Sequence, residues 1–151
     1  MPFLRVYTAS KTTHAKKWLE LDASSKTIKV SARWIKEVAL AQYVDVLKDN
    51  QTLREFSARC WIEDIEDIKT SDFLMLYGES NEHLRGALVE AGVALCEGVP
   101  VVCIGKHPDY GTWQEHPLVL HMDSIEHFES WAKRELDRRI AGMKNTYLQG
   151  Y

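Results

Sequence analysis

The 151-residue sequence lacks the features that mark membrane, secreted or polymer-binding proteins. No apolar run approaches the roughly 20 residues that a membrane-spanning helix needs, and no signal peptide opens the chain. Lys and Arg number 19 against 22 Asp and Glu, so the formal net charge of −3 gives no basic footprint for a nucleic-acid polymer. We therefore expect a cytoplasmic protein that binds neither a membrane nor a nucleic-acid polymer.

Cysteine is also scarce, and the cysteines lack the spacing of a metal or redox site. Cys60, Cys96 and Cys103 stand in apolar segments without a CxxC pattern, and their odd number indicates reduced core thiols of an intracellular protein. The six histidines form no HxxxH pair. We expect no metal and no cofactor; the first loop also lacks the dense Thr/Ser/Gly pattern of a flavin site.

The composition is that of a globular protein. Apolar residues make up 45% of the chain, which has five Trp and shows no linker, repeat or low-complexity segment. This length can bury a substantial core. We expect one domain over residues 1–151.

Short apolar segments alternate with helical patterns along the chain. The segments 72–77 and 101–104 are continuously apolar, which is typical of strands buried on both faces of a sheet. This alternation predicts an α/β fold, with about five parallel strands and helices on both faces. We predict strands over 3–8, 27–31, 72–77, 101–104 and 118–122, and helices over 14–21, 52–69, 85–97 and 124–144; residues 38–50 are helix-like but ambiguous.

Ligands bind such folds at the carboxyl ends of the strands. Three polar loops are predicted there, over residues 8–13, 78–85 and 105–117. The first leads from a strand into a helix, where backbone N–H groups together with Ser10, Lys11, Thr12 and Thr13 could bind an anion. Ordinary helix capping by the same hydroxyls is the alternative.

The apolar helix predicted over residues 85–97 carries a single charge in its middle. Gly86, Glu90 and Ala94 are spaced four residues apart, so they share one helix face, and the two small residues leave room beside the carboxylate. Burying a lone carboxylate is costly. Glu90 is therefore either a nucleophile or base in a cleft, or a structural carboxylate that is solvated or paired with an Arg.

Three other residues have two interpretations each. Asp64 shares its stretch with apolar residues and could be a catalytic acid, although it also belongs to an acidic helix face that water could solvate. Arg85 could bind phosphate, pair with Glu90, or simply be solvated at the start of a helix. The Trp34 ring could stack on a base or belong to the core.

Four motifs in order resemble the nucleoside 2-deoxyribosyltransferase-like family, which includes the 2′-deoxynucleoside 5′-monophosphate N-hydrolases. The resemblance covers most of residues 3–122, and its third and fourth motifs are the most specific. The motifs are Tyr7-Thr-Ala-Ser10, Asp64-Ile-x-x-Ile68-x-x-Ser71-Asp72, Gly86-x-x-x-Glu90-x-Gly92-x-Ala94 and Gly98-x-Pro100-Val-Val.

This resemblance implies a flavodoxin-like, doubly wound fold and a homodimer or higher homo-oligomer. It also implies that Glu90 is the nucleophile that attacks the anomeric carbon of deoxyribose, that Asp64 contacts the sugar or base, and that Tyr7 holds or tunes the nucleophile. The chain departs from the family at Leu84, where many transferases carry an Asp.

The predicted function is cleavage or transfer of the N-glycosidic bond of a 2′-deoxynucleoside or its 5′-monophosphate. The departing base needs a proton, for which Asp64 is the first candidate and His83 the second. The alternative is a non-catalytic nucleotide-binding module on the same fold. The predicted substrate-binding residues are Ser10, Lys11, Thr12, Trp34, His83, Arg85 and Gly86.

Overall fold

The computed structural model describes the backbone of residues 2–39 and 50–149, and the side chains of residues 2–38 and 54–143. Strands and helices alternate over most of this length. The strands are β1 (Leu4–Ala9), β2 (Ile28–Val30), β3 (Phe73–Tyr77), β4 (Val101–Ile104) and β5 (Val119–Met122). The helices are α1 (Ala15–Ser24), α2 (Trp34–Ala39), α3 (Asn50–Lys69), α4 (Gly86–Cys96) and α5 (Ile125–Gln149), with short 3-10 helices at Thr12–His14 and Thr112–Glu115.

The five strands form one parallel sheet in the order β2-β1-β3-β4-β5. The chain moves from β1 outward to β2, and then returns to the other side of β1 to build β3, β4 and β5. The carboxyl ends of β1 and β3 therefore flank the point at which the direction of winding reverses. This order confirms the predicted flavodoxin-like α/β fold.

Helices cover both faces of the sheet. On one face, the Phe73 ring packs edge-on against Trp131 of α5, and the Tyr77 ring packs in the same way against Trp18 of α1. On the other face, Tyr7 of β1 reaches Glu90 of α4. Because both faces are covered, β3 and β4 are almost wholly buried, as their apolar sequences predict.

Helix α4 ends as its sequence predicts. Gly98 has a φ of +74°, a conformation that costs little only for glycine. The Val99 amide donates to the Ala94 carbonyl at 2.8 Å and the Gly98 amide to the Leu95 carbonyl at 3.2 Å, which is the Schellman pattern. This turn leads the chain directly into β4.

The predicted boundaries are wrong at several elements. Helix α1 continues to Ser24, and α5 to Gln149, because neither extension contains a proline or glycine to stop it. Helix α2 was not predicted, and residues 40–49 of the ambiguous segment lie outside the described residues.

The cysteines also differ from expectation, since of the three only Cys103 is in the core. Cys60 is half-buried, and Cys96 is exposed on the outer side of α4. Over the described residues, no helix is long and apolar enough to cross a bilayer, and no cluster of metal-ligating side chains is found.

Candidate active site

A cavity of about 800 Å³ opens at the carboxyl ends of β1 and β3. Its walls come from the loops that follow these two strands and from parts of α2, α3 and α4. This is the winding-reversal point, where open α/β sheets characteristically bind ligands. Three predicted loops were expected at this edge, and those after β1 and β3 line the cavity.

Glu90 forms part of the cavity wall and is only 7% exposed. Its carboxylate accepts a hydrogen bond from the hydroxyl of Tyr7, which is fully buried behind it on β1. Burial raises the pKa of Glu90 to about 8, while the Tyr7 hydrogen bond opposes that rise and the nearby Asp64 charge adds to it. Neither structural alternative is found: the carboxylate is buried rather than solvated, and its partner among the described side chains is a tyrosine rather than an Arg.

Asp64 extends from α3 into the same cavity. Burial raises its pKa to about 7, opposed by hydrogen bonding to Tyr7 and reinforced by the negative charge of neighbouring carboxylates. Glu90 and Asp64 repel each other when both are ionised, so the pair tends to retain one proton near neutral pH. The Tyr7 hydroxyl donates to Glu90 and also lowers the pKa of Asp64, and the two raised pKa values are close, so either carboxyl group can hold the shared proton.

The loop after β1 and the loop before α4 form a cationic region of the cavity, with the cations Lys11 and Arg85 and, beside them, the exposed His83 ring. Thr12 and Thr13 also line this region. Ser10 lines it too, but its hydroxyl accepts from the Trp18 indole at 2.8 Å and donates to the Lys11 carbonyl at 2.9 Å. Over this described segment, no side-chain cap closes the 3-10 helix or α1, so the predicted capping role is not found.

Aromatic side chains form the apolar walls. The Trp34 indole N–H donates to the Thr8 carbonyl at 3.1 Å, which fixes this ring at the end of β1. Phe56 and Trp61 of α3 line the cavity as well. Opposite them, a Cβ atom on Gly86 would lie 3.5 Å from the Trp61 ring, so glycine at this position keeps the space beside the ring open.

The loop that carries Leu84 and Arg85 is held by a neighbouring loop. Asp109 accepts a hydrogen bond from the Leu84 amide at 2.6 Å, and the buried His107 ring bonds the Glu79 carbonyl at 3.0 Å. A Cβ atom on Gly78 would come within 3.0 Å of His107, so this close packing requires glycine. Leu84 itself lines the cavity at the position where the chain departs from the family pattern.

The structure brings the predicted residues together in one cavity. We expected both Gly86 and Ala94 to leave room beside the Glu90 carboxylate. This is wrong for Ala94, which is buried in the core, while Gly86 lines the cavity. Tyr7 lies behind the wall and contacts the cavity through Glu90. Nine predicted residues line the cavity: Ser10, Lys11, Thr12, Trp34, Asp64, His83, Arg85, Gly86 and Glu90.

Sequence reasoning missed Glu37 and Cys60, which also line the cavity. The Cys60 thiol donates to the Glu37 carboxylate at 3.6 Å. Burial, with the negative charge of Glu37 beside it, raises the pKa of Cys60 to about 12, so its thiol stays protonated and is a poor nucleophile. Glu37 lies on α2, a helix that the sequence analysis did not predict. Without that helix, nothing in the sequence placed Glu37 on the same face as Trp34.

Comparisons with known proteins establish similarity of fold. No protein-family model matches the chain, and no curated protein matches it. The structure is similar to that of Clostridium botulinum CMP N-glycosidase, BcmB, with a TM-score of 0.50 and 15% sequence identity. The match covers 88% of this chain and 98% of that chain, so it extends over nearly the whole of both folds.

Proposed function

We propose that this protein cleaves the N-glycosidic bond of a 2′-deoxynucleoside 5′-monophosphate through a covalent intermediate on Glu90. The observation that carries the proposal is the group formed by Glu90, Tyr7 and Asp64 at the cavity wall. It provides two carboxyl groups that share one proton, so Glu90 can attack as the carboxylate while Asp64 carries the proton, and the Tyr7 hydrogen bond favours the ionised form of Glu90. The CMP N-glycosidase with a similar fold is consistent with this class of reaction.

In the first step, a carboxylate oxygen of Glu90 attacks the anomeric carbon of the sugar. The bond between this carbon and the base nitrogen breaks, its electron pair stays with the base, and the protonated Asp64 supplies a proton to the departing base. Positive charge builds on the sugar ring during this step, and the Glu90 carboxylate stabilises it before capturing the carbon. The products are a free base and a glycosyl ester of Glu90.

In the second step, Asp64 is ionised and accepts a proton from the incoming group. Water attacking the anomeric carbon breaks the ester, releases deoxyribose 5-phosphate and restores both carboxyl groups. A second base attacking the same carbon gives transfer instead of hydrolysis. The same two carboxyl groups serve both outcomes, since acid and base roles exchange between the two steps.

The cavity provides matching surroundings for each part of the substrate. Lys11 and Arg85 are cations suited to a 5′-phosphate, and threonine hydroxyls lie beside Lys11. The rings of Trp34 and Trp61 are suited to stack on a base, and the space at Gly86 accommodates a sugar. A plain nucleoside would leave the cationic region without a partner, so we propose the monophosphate as the substrate.

A chromatographic screen for free base tests this function. The protein is incubated with the four 2′-deoxynucleosides, their 5′-monophosphates and CMP, each with and without an added acceptor base. We expect free base from at least one monophosphate, less from the corresponding nucleoside, and a new nucleotide only if the acceptor base competes with water.

The matched control is Glu90→Gln, which keeps the size of the side chain but removes the nucleophile. We expect base release to fall by roughly a thousandfold or more, as for removal of other catalytic nucleophiles. A wild-type protein that binds a nucleotide but releases no base from any substrate would favour the non-catalytic nucleotide-binding module. Unchanged activity of the folded Glu90→Gln variant would exclude Glu90 as the nucleophile.

A further inference from the structure

Glu37 is a cavity carboxylate that the proposed reaction does not use. It lies on α2 three residues after Trp34, so the two side chains share one face of the helix. Both line the cavity, and the Trp34 ring is fixed by its hydrogen bond to the Thr8 carbonyl. The carboxylate therefore lies at the edge of the aromatic wall on which a base would stack.

Glu37 has two described side-chain partners, one on each carboxylate oxygen. Arg59 approaches one carboxylate oxygen at 3.5 Å, and the Cys60 thiol approaches the other at 3.6 Å. Each carboxylate oxygen can accept two hydrogen bonds. The Glu37 side chain is 28% exposed. Among the side chains that the structure describes, each Glu37 oxygen thus has one donor and retains capacity for a second donor from a ligand in the cavity.

We propose that Glu37 recognises the edge of the substrate base and selects guanine, an inference that rests on the proposed function. Guanine presents two adjacent donors, the ring N1–H and the exocyclic 2-amino group, which match the two oxygens of one carboxylate.

The other bases fit a carboxylate less well. Adenine and cytosine place a single amino donor beside a ring nitrogen that is itself an acceptor, so one carboxylate oxygen would face a lone pair. Thymine places its N3–H between two carbonyl oxygens, which repel the carboxylate. A bound base covers the partly exposed Glu37 carboxylate, so a base that offers it fewer donors binds less well.

A matched pair of substrates isolates this contact. The 5′-monophosphates of 2′-deoxyguanosine and 2′-deoxyinosine differ only in the 2-amino group, so hypoxanthine keeps one donor and loses the other. We expect kcat/KM for the wild-type protein to be roughly tenfold or more higher with the guanine substrate, the discrimination typical of a bidentate contact.

Glu37→Gln tests whether the carboxylate is the cause. The amide offers one acceptor and one donor, so we expect the preference for guanine over hypoxanthine to collapse to about threefold or less. Adenine and cytosine substrates should gain relative to guanine. The control is Glu20→Gln, which removes the same charge from an exposed position of α1 outside the cavity and should keep the wild-type preference.

The outcomes separate the two proposals. Base release with the same guanine preference in the wild type and Glu37→Gln would overturn the role of Glu37 and leave the proposed function standing. Equal activity of the wild type on both substrates would do the same. No base release from any monophosphate would overturn the proposed function and, with it, this inference.

Discussion

The Glu90 carboxyl group is 7% exposed, and the hydrogen bond that it accepts comes from the Tyr7 hydroxyl. A hydroxyl stabilises an ionised carboxylate less than a cation would, because it brings a dipole and no full charge. Burial and the Asp64 charge therefore dominate, and they raise the pKa of Glu90 above its usual value of 4.5. When the proton shared by the pair lies on Asp64, the ionised Glu90 can stabilise a developing positive charge, which a carboxylate neutralised in an ion pair does less well.

Asp64→Asn should remove the proposed proton donor while leaving the proposed nucleophile, Glu90, in place. The amide cannot donate a proton to a departing base, so we expect release of natural bases to fall by about a hundredfold or more. A nitrophenolate leaving group needs no proton. With a nitrophenyl deoxyriboside 5-phosphate, the variant should therefore release nitrophenolate in the first step at close to the wild-type rate. Equal losses on both substrates would rule out Asp64 as the acid.

Glu90 should also make folding stability depend on pH. Its folded-state pKa of about 8 lies above the ordinary value of 4.5, so the folded protein holds a proton that the unfolded chain releases. This stability is fully present below about pH 4.5 and is lost as the pH rises through about 8.

Glu90→Gln has no such proton, so its thermal midpoint should exceed that of the wild type by more at about pH 8 than at about pH 4.5. Differential scanning calorimetry at the two ends of this range measures the effect. A constant difference between variant and wild type across the range would show that the carboxyl group titrates normally in the folded protein.

The residues of the site differ in how far the sequence could predict them. Glu90 stands out because it is the single charge in an apolar helix. Tyr7 has no such signal, because a tyrosine near the end of a buried strand is usually a core residue. Only the family resemblance predicted that it contacts the nucleophile. Glu37 was missed because its importance comes from the position of the six-residue helix α2, which tertiary packing determines.

At the scale of elements, the strands and the ends of α4 follow local rules. Apolar runs predict β3 and β4, and Gly98 followed by Pro100 predicts the end of α4. Helix α2 follows no local rule, because packing of Trp34 and Ile35 decides its conformation. The sequence therefore predicted the sheet and its order of elements better than the walls of the cavity.

Two glycines of one segment should respond in opposite directions to the same substitution. Gly98→Ala should destabilise the protein by about 1 kcal/mol, because its φ of +74° is unfavourable for a side chain. Gly92→Ala should stabilise it by about 0.5–1 kcal/mol, because alanine favours a helix and a Cβ atom there meets nothing within 4 Å.

Urea denaturation of the two variants and the wild type gives both changes in the free energy of unfolding. A gain in stability from Gly98→Ala would mean that the Schellman turn does not form in solution. A loss from Gly92→Ala would mean that this position of α4 is covered rather than exposed.

At the scale of the whole molecule, the fold collects opposite charges at different parts of one cavity. The loops that leave β1 and precede α4 bring Lys11 and Arg85, while α3 and α4 bring Asp64 and Glu90. The chain's net charge of −3 gives no hint of this arrangement. It arises because the sheet order places the ends of β1 and β3 side by side.

Lys11→Gln combined with Arg85→Gln should weaken binding of the phosphate specifically. We expect KM for the 5′-monophosphate to rise by roughly tenfold or more, since hydrogen bonds to charged groups are stronger than neutral ones. KM for the plain nucleoside should change little. Lys16→Gln on the exposed side of α1 is the control, and an equal rise for both substrates would place the phosphate elsewhere.

The covalent intermediate on Glu90 is the central claim, and trapping it is its most direct test. A 2′-fluoro-2′-deoxynucleoside 5′-monophosphate slows hydrolysis of the ester, because fluorine destabilises positive charge on the sugar ring. Mass spectrometry of the treated protein should show the added mass of one fluorinated sugar phosphate, located on the peptide that contains Glu90, and no addition to Glu90→Gln. An addition on a different residue, or base release without any addition, would contradict this account.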